Sequence, residues 1–193
     1  MRLILASASP RRAELLTAAG YRFEILAASV DETPAVGESP ADYTLRVAHD
    51  KARAVTLRSD SVSNDRDAVL LAADTEVVVD GRILGKPVDE AHAAEMLRLL
   101  SGRVHDVLTA IVVVSAEAVV SDVVRTAVSF LPLTSRQIEW YVDSGEPMGK
   151  AGAYAVQGRA AAHISHISGS YSGIMGLPMH ETAQLLRAFG FRI

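Results

Sequence analysis

Apolar residues in this chain gather in two patterns that alternate along its length. Leu3–Ala6 is a short continuous apolar run, the signature of a strand buried on both faces. Ser9 as N-cap and Pro10 as first helical residue then open a helix over Pro10–Ala19, which Gly20 ends. Tyr21–Ala27 predicts a second strand. Ser39-Pro40 opens a helix through about Leu57, with Leu45, Ala48, Ala52 and Val55 on one face. Val69–Ala73 and Glu76–Val79 are strand-like, and Asp80-Gly81 before Ile83-Leu84 is a two-residue hairpin signal. Asp89 caps a helix through Leu100, with Gly102 past its end, and two long β-rich runs follow, Val104–Val114 and Ala118–Phe130. Thr134 to Gln137 has the form of a capping box before a helix reaching Val142. Pro178 starts a last helix carrying Leu185, Leu186 and Phe189, closed by Gly190. Hairpins and crossover-length helices together predict an α/β fold with a mixed sheet.

The 193 residues suit one domain spanning 1–193, with no internal repeat; polar Arg58–Asp67 reads as a surface loop within it. Half the residues, 49%, are hydrophobic and 22% are charged, the balance of a soluble globular chain. The net charge of −4 gives no positive excess to hold a nucleic acid polymer or an anionic membrane. The absence of cysteine excludes disulfides, thiolate zinc sites and a cysteine nucleophile. No targeting signal or membrane span is visible, which makes a cytoplasmic location the expectation.

Four features carry candidate chemistry. Arg11 and Arg12 fill the first turn of a helix, where the positive end of the macrodipole favours acids. Either the pair is exposed at slight cost, or it joins Ser7, Ser9 and free backbone N–H groups in a polyphosphate cradle. Asp74 interrupts an apolar β run, and burying an unpaired carboxylate is expensive. A metal ion, a lysine, a position facing a cleft or backbone N–H groups at a strand end would each satisfy it. Glu76 lies on the same face as Asp74 only if the strand is unbroken. Only Lys51, Lys86 and Lys150 are lysines, against 16 arginines, a choice that points to a compact ammonium at those positions or to chance. Seven of the 13 glycines lie between Gly145 and Gly176, interleaved with Lys150, Tyr154 and Gln157. That stretch is either a set of tight turns or a close backbone approach to a ligand, with Gln157 offering both donor and acceptor. His163 and His166 have no third ligand at metal spacing and read as strand-surface histidines, and His105 reads as structural.

In order along nearly the whole chain, Leu5-Ala-Ser-Ala-Ser-Pro-Arg-Arg12, Val30-Asp-Glu32, Lys51-Ala52, Ala73-Asp-Thr75, Leu84-Gly-Lys-Pro87, Leu100-Ser-Gly-Arg103, Lys150 to Gly158, Ile167 to Tyr171 and Gly176-Leu-Pro178 resemble the motifs of the Maf-type nucleoside triphosphate pyrophosphatases. The resemblance implies an α/β fold with a mixed central sheet flanked by helices. It further implies two lobes around a cleft, as in the inosine triphosphate pyrophosphatases, and a homodimer. The implied reaction cuts a nucleoside triphosphate between its α and β phosphates with a divalent cation, Mg²⁺ or Mn²⁺. By the same match Asp74 is the proton acceptor, Glu32 and Asp74 are the metal-side carboxylates, and Ser7, Arg12, Lys51 and Lys86 hold phosphates. Arg11, Thr75 and Gln157 match the family's pyrimidine branch, whereas the branch acting on methylated guanine nucleotide is expected to carry Trp, Gln and Glu there. The expected substrates are therefore dTTP and UTP. A nucleotide-binding regulator of cell division, with incidental catalysis, is the alternative from another class.

Overall fold

A computed structural model describes residues 1–58 and 65–192. The chain runs β1 (Arg2–Leu5), α1 (Pro10–Ala18), β2 (Glu24–Ile25), α2 (Pro40–Arg58), β3 (Ala68–Val79), β4 (Arg82–Leu84), α3 (Glu90–Leu100), β5 (Val104–Val114), β6 (Val119–Phe130) and α4 (Ser135–Val142). Two short 3-10 turns, Ala151–Ala153 and Arg159–His163, lead into β7 (Ile164–Ser168), α5 (Tyr171–Met175) and α6 (Met179–Ala188). The strands form one mixed sheet in the order β2-β1-β3-β5-β6-β7, with β4 on β3. β1 is parallel to β2 and β3; every other pairing is antiparallel.

Two of the sequence expectations change. The runs Val69–Ala73 and Glu76–Val79 are one unbroken twelve-residue strand, because Asp74, Thr75 and Glu76 keep their ladder opposite Ala110, Thr109 and Leu108 of β5. The expected strand over Tyr21–Ala27 is only two residues long, both exposed, and sits at the sheet edge. A short edge strand offers little backbone for unwanted pairing. The helix starts held: Asp89 accepts from the His92 N–H at 2.7 Å, and Thr134 with Gln137 completes the capping box. Ser9 takes the extended N-cap backbone without a side-chain cap. Segment 58–67, read as a loop, lies mostly outside the described residues.

β3 also explains where the cleft lies. Leu70 and Ala72 pack with Ala48, Ala52 and Val55 of α2 on one face, and Val69, Leu71 and Ala73 with Leu16, Leu177 and Leu186 on the other. Val77 and Val79 instead enter a second core region with Leu97, Leu100, Ile138, Tyr141 and Tyr154. Residues 74–76 are the bridge between these two packed lobes. On one edge of β3 the register with β1 stops at Leu71 and that with β4 begins at Val77. Between them, among the described residues, that edge of β3 has no neighbouring strand. Among the described residues no helix is long and apolar enough to cross a membrane.

Candidate active site

The gap in the sheet edge opens into a cleft of about 820 Å³. It is lined by all nine residues to which the resemblance assigned a role: Ser7, Arg11, Arg12, Glu32, Lys51, Asp74, Thr75, Lys86 and Gln157. Their elements arrive for separable reasons. β1 ends at the gap, so the turn after it delivers Ser7 and the start of α1; α2 crosses the sheet and delivers Lys51; the chain after β4 delivers Lys86.

Asp74 and Glu76 are 5% and 8% exposed, and the unbroken strand puts both on the face toward α2. Lys51 Nζ lies 2.6 Å from Asp74 Oδ1 and 2.7 Å from Glu32 Oε1, so a single ammonium bridges two carboxylates. Asp74 Oδ2 and Glu76 Oε2 are buried without a hydrogen-bond partner. Burial, then the neighbouring charges of Asp74 and Glu32, pushes the Glu76 carboxyl up to about 8. The Tyr43 hydroxyl donates to the Glu32 carbonyl at 2.7 Å and anchors the loop that carries Glu32.

On the opposite side Arg12 is buried. Its Nε donates to the Gly176 carbonyl at 2.7 Å, Nη1 to Ser7 Oγ at 2.9 Å and Nη2 to Thr75 Oγ1 at 3.1 Å. Burial lowers its pKa, opposed by the attraction of Asp74. A guanidinium has five N–H donors, so two remain for a ligand. Arg11 Nε donates to the Met175 carbonyl at 3.3 Å. The locally unfavourable arginine pair is thus held by carbonyls of the α5 segment, with Ser7 in the same network.

Thr75 and Lys150 are engaged within the protein. The Thr75 hydroxyl shares a 3.0 Å hydrogen bond with the Thr109 hydroxyl, which donates to the Gly173 carbonyl at 2.8 Å. Lys150 Nζ donates to the Glu146 carbonyl at 2.6 Å, and burial lowers its pKa. Gln157 is exposed on the rim of the cleft. His105 is buried against Phe130 and 2.9 Å from the Tyr154 hydroxyl, the structural place read for it. Among the described residues no group of three or more His, Cys, Asp or Glu is arranged to hold a metal ion.

Residues 2–189 match the sequence profile of the Maf-like proteins. The chain belongs to this family. Its relatives include the dTTP/UTP pyrophosphatase of Symbiobacterium thermophilum, 50% identical over 99% of this chain and 95% of that protein. Another is the dTTP/UTP pyrophosphatase of Xanthomonas campestris pv. campestris, 52% identical over 97% of this chain and 98% of that protein. Among solved structures, the Staphylococcus aureus Ham1 protein superposes with a TM-score of 0.46 at 16% identity, over 67% of this chain and 71% of that one. The membership rests on the sequence matches.

Within this Maf-like chain, sequence reasoning left Glu76 conditional and missed Tyr43, Thr109 and Glu146. An acid in an apolar run is a visible signal, and Glu76 needed only the continuity of β3. Thr109 and Tyr43 had none, because a threonine in a strand and a tyrosine in a helix are ordinary core residues.

Proposed function

We propose that this protein hydrolyses dTTP and UTP to the monophosphate and pyrophosphate. The observation that carries the reading is the buried carboxylate of Asp74, held at one oxygen by Lys51 and free at the other, facing an arginine-lined wall. A triphosphate fits between the two. Arg12, Lys86 and Ser7 bind its phosphate oxygens, and Lys51 orients Asp74 and adds positive charge where the transition state gains negative charge. Asp74 Oδ2 accepts a proton from water as the water oxygen attacks the α-phosphorus. The bond from that phosphorus to the bridging oxygen breaks, and pyrophosphate leaves. Gln157 meets the base: its carboxamide complements the acceptor–donor–acceptor edge of thymine or uracil. Thr75 braces Arg12 from behind on the phosphate side.

The residues present also fit a divalent cation, Mg²⁺ or Mn²⁺. Hard cations take oxygen ligands, and Mg²⁺ commonly uses one or two carboxylates together with substrate phosphates. The unpartnered Glu76 Oε2 would supply one such oxygen beside Asp74, so no closed protein cage is needed. Glu32, the metal-side carboxylate expected from the sequence together with Asp74, would supply another if its contact with Lys51 were exchanged for the cation. When bound, the cation would neutralise phosphate charge at the reacting group.

Incubating the purified protein with dTTP, UTP or GTP and Mg²⁺ tests the reading. Pyrophosphate from the two pyrimidine nucleotides, and little from GTP, is the expected result. Orthophosphate as the product, or an equal rate in Asp74→Asn, would overturn it.

A further inference from the structure

Gln157 stands on backbone that belongs to no ladder, between the two 3-10 turns. Its turn is nevertheless gripped at both shoulders. The Ala155 N–H donates to the Tyr141 hydroxyl oxygen at 3.1 Å, and that hydroxyl donates to Glu146 Oε1 at 2.8 Å. The Arg159 N–H donates to the same carboxylate, at 2.9 Å to Oε1 and 3.1 Å to Oε2. Gly158 lies flat against that carboxylate, so a Cβ at this position would collide with Glu146 Oε1. The Glu146 carbonyl accepts from Lys150 Nζ, tying a second cleft residue to the same point. Tyr141 comes from α4 and is buried in the core region of the second lobe.

We propose that Tyr141 and Glu146 are positioning residues for base selection, fixing the turn 155–159 so that the Gln157 carboxamide meets the base at a set place in the cleft. The inference rests on the reading that Gln157 contacts the base. Charge-assisted hydrogen bonds to a carboxylate are stronger than neutral ones, and two donors, the Tyr141 hydroxyl and the Arg159 N–H, converge on this one. Without them the turn is free to take several conformations, and the donor and acceptor of Gln157 no longer coincide with the base edge. Phosphate binding on the far side of the cleft is untouched. The loss therefore falls on recognition of the pyrimidine rather than on the chemical step.

Steady-state kinetics with dTTP, UTP and GTP test this in Glu146→Ala, Glu146→Gln, Gln157→Ala and the Glu146→Ala/Gln157→Ala double variant. Glu146→Ala should raise KM for dTTP and UTP about tenfold, with kcat within about twofold and the GTP parameters unchanged. Glu146→Gln, which keeps one acceptor oxygen, should recover part of the loss. The double variant should be no worse than the poorer single one, since both remove the same interaction. A fall in kcat for all three nucleotides alike, or full additivity in the double variant, would overturn the proposal. Should Glu146→Ala fail to fold, Tyr141→Phe carries the same test with a smaller rise in KM, because it removes only the hydroxyl that holds Ala155. If Gln157→Ala shifts the nucleotide ranking and neither clamp variant does, the positioning role alone is wrong. If Gln157→Ala leaves the ranking unchanged, the reading of Gln157 fails and takes the clamp with it.

Discussion

The two walls of the cleft are built by different means. The wall carrying Asp74, Thr75 and Glu76 is a stretch of regular strand, and its side chains are set by a ladder to β5 that continues from Leu70 to Val78. The wall carrying Gln157 is a run of turns whose backbone is placed by side chains: Tyr141, Glu146, and the packing of Gly152 against Val77. A ladder fixes a residue to within the tolerance of the sheet, which suits groups that must meet a phosphorus atom in line. A clamped turn holds its geometry through a few removable contacts, which suits the part of a site that meets a base. On the proposed reading of the site, chemistry and selection are separable in this molecule. Substitutions on the two walls should divide between kcat and KM.

The largest effect expected lies on the strand wall. Asp74→Asn keeps the shape of the side chain and removes the base; kcat for dTTP should fall on the order of 10³-fold while KM stays within a fewfold. A variant that instead loses KM with kcat intact would place the chemistry elsewhere and end the division of labour between the walls.

Next in size is the join between the walls. Gly152 has φ of +67°, donates its N–H to the Gly85 carbonyl at 3.1 Å, and a Cβ added to it would stand 2.8 Å from both methyl carbons of Val77 on β3. Overpacking costs about 1–3 kcal/mol and the left-handed backbone roughly another 1. Gly152→Ala should therefore destabilise the fold by about 2–4 kcal/mol in urea denaturation. A cost under about 1 kcal/mol would mean that the turn wall shifts freely relative to the strand, contrary to its role as a fixed reader.

The same contrast decides what the sequence could disclose. Strand-wall residues announce themselves, because Asp74 and Glu76 are charges in an apolar run, and Arg11 and Arg12 are at the wrong end of a helix for their sign. Lys51 was legible as a rare residue and, by resemblance, as a phosphate holder; that it bridges Glu32 and Asp74 depends on the crossing of α2 over the sheet. The turn wall was visible as glycine density, as Gln157 and as the motif from Lys150 to Gly158, but the contacts that hold it were not. Its clamp joins residues 14 apart in one case and 13 in the other, through a tyrosine and a glutamate common in any helix and turn. β2 was overread because the apolar run Tyr21–Ala27 looks the same whether it pairs over two residues or seven. α5 went unread because its polar and small residues follow neither period cleanly, and β7 was legible only as a strand under His163 and His166.

The smallest effect expected tests whether the walls are coupled from behind. Thr109 lies on β5 opposite Thr75, is buried, and donates to the Gly173 carbonyl in the α5 segment. Through the Thr75 hydroxyl it also backs the Arg12 guanidinium, whose other contacts run to Ser7 and Gly176. Thr109→Val preserves volume and branching and deletes one hydroxyl, leaving the Gly173 carbonyl and Thr75 to find other partners. The net loss of such a hydrogen bond is about 1 kcal/mol. If that loss reaches the phosphate side, KM should rise about threefold for dTTP, UTP and GTP alike, because Arg12 serves every triphosphate whatever its base. A rise confined to the pyrimidine nucleotides would instead put Thr75 in contact with the base, and the strand wall would then share the selection that the turn wall is here assigned.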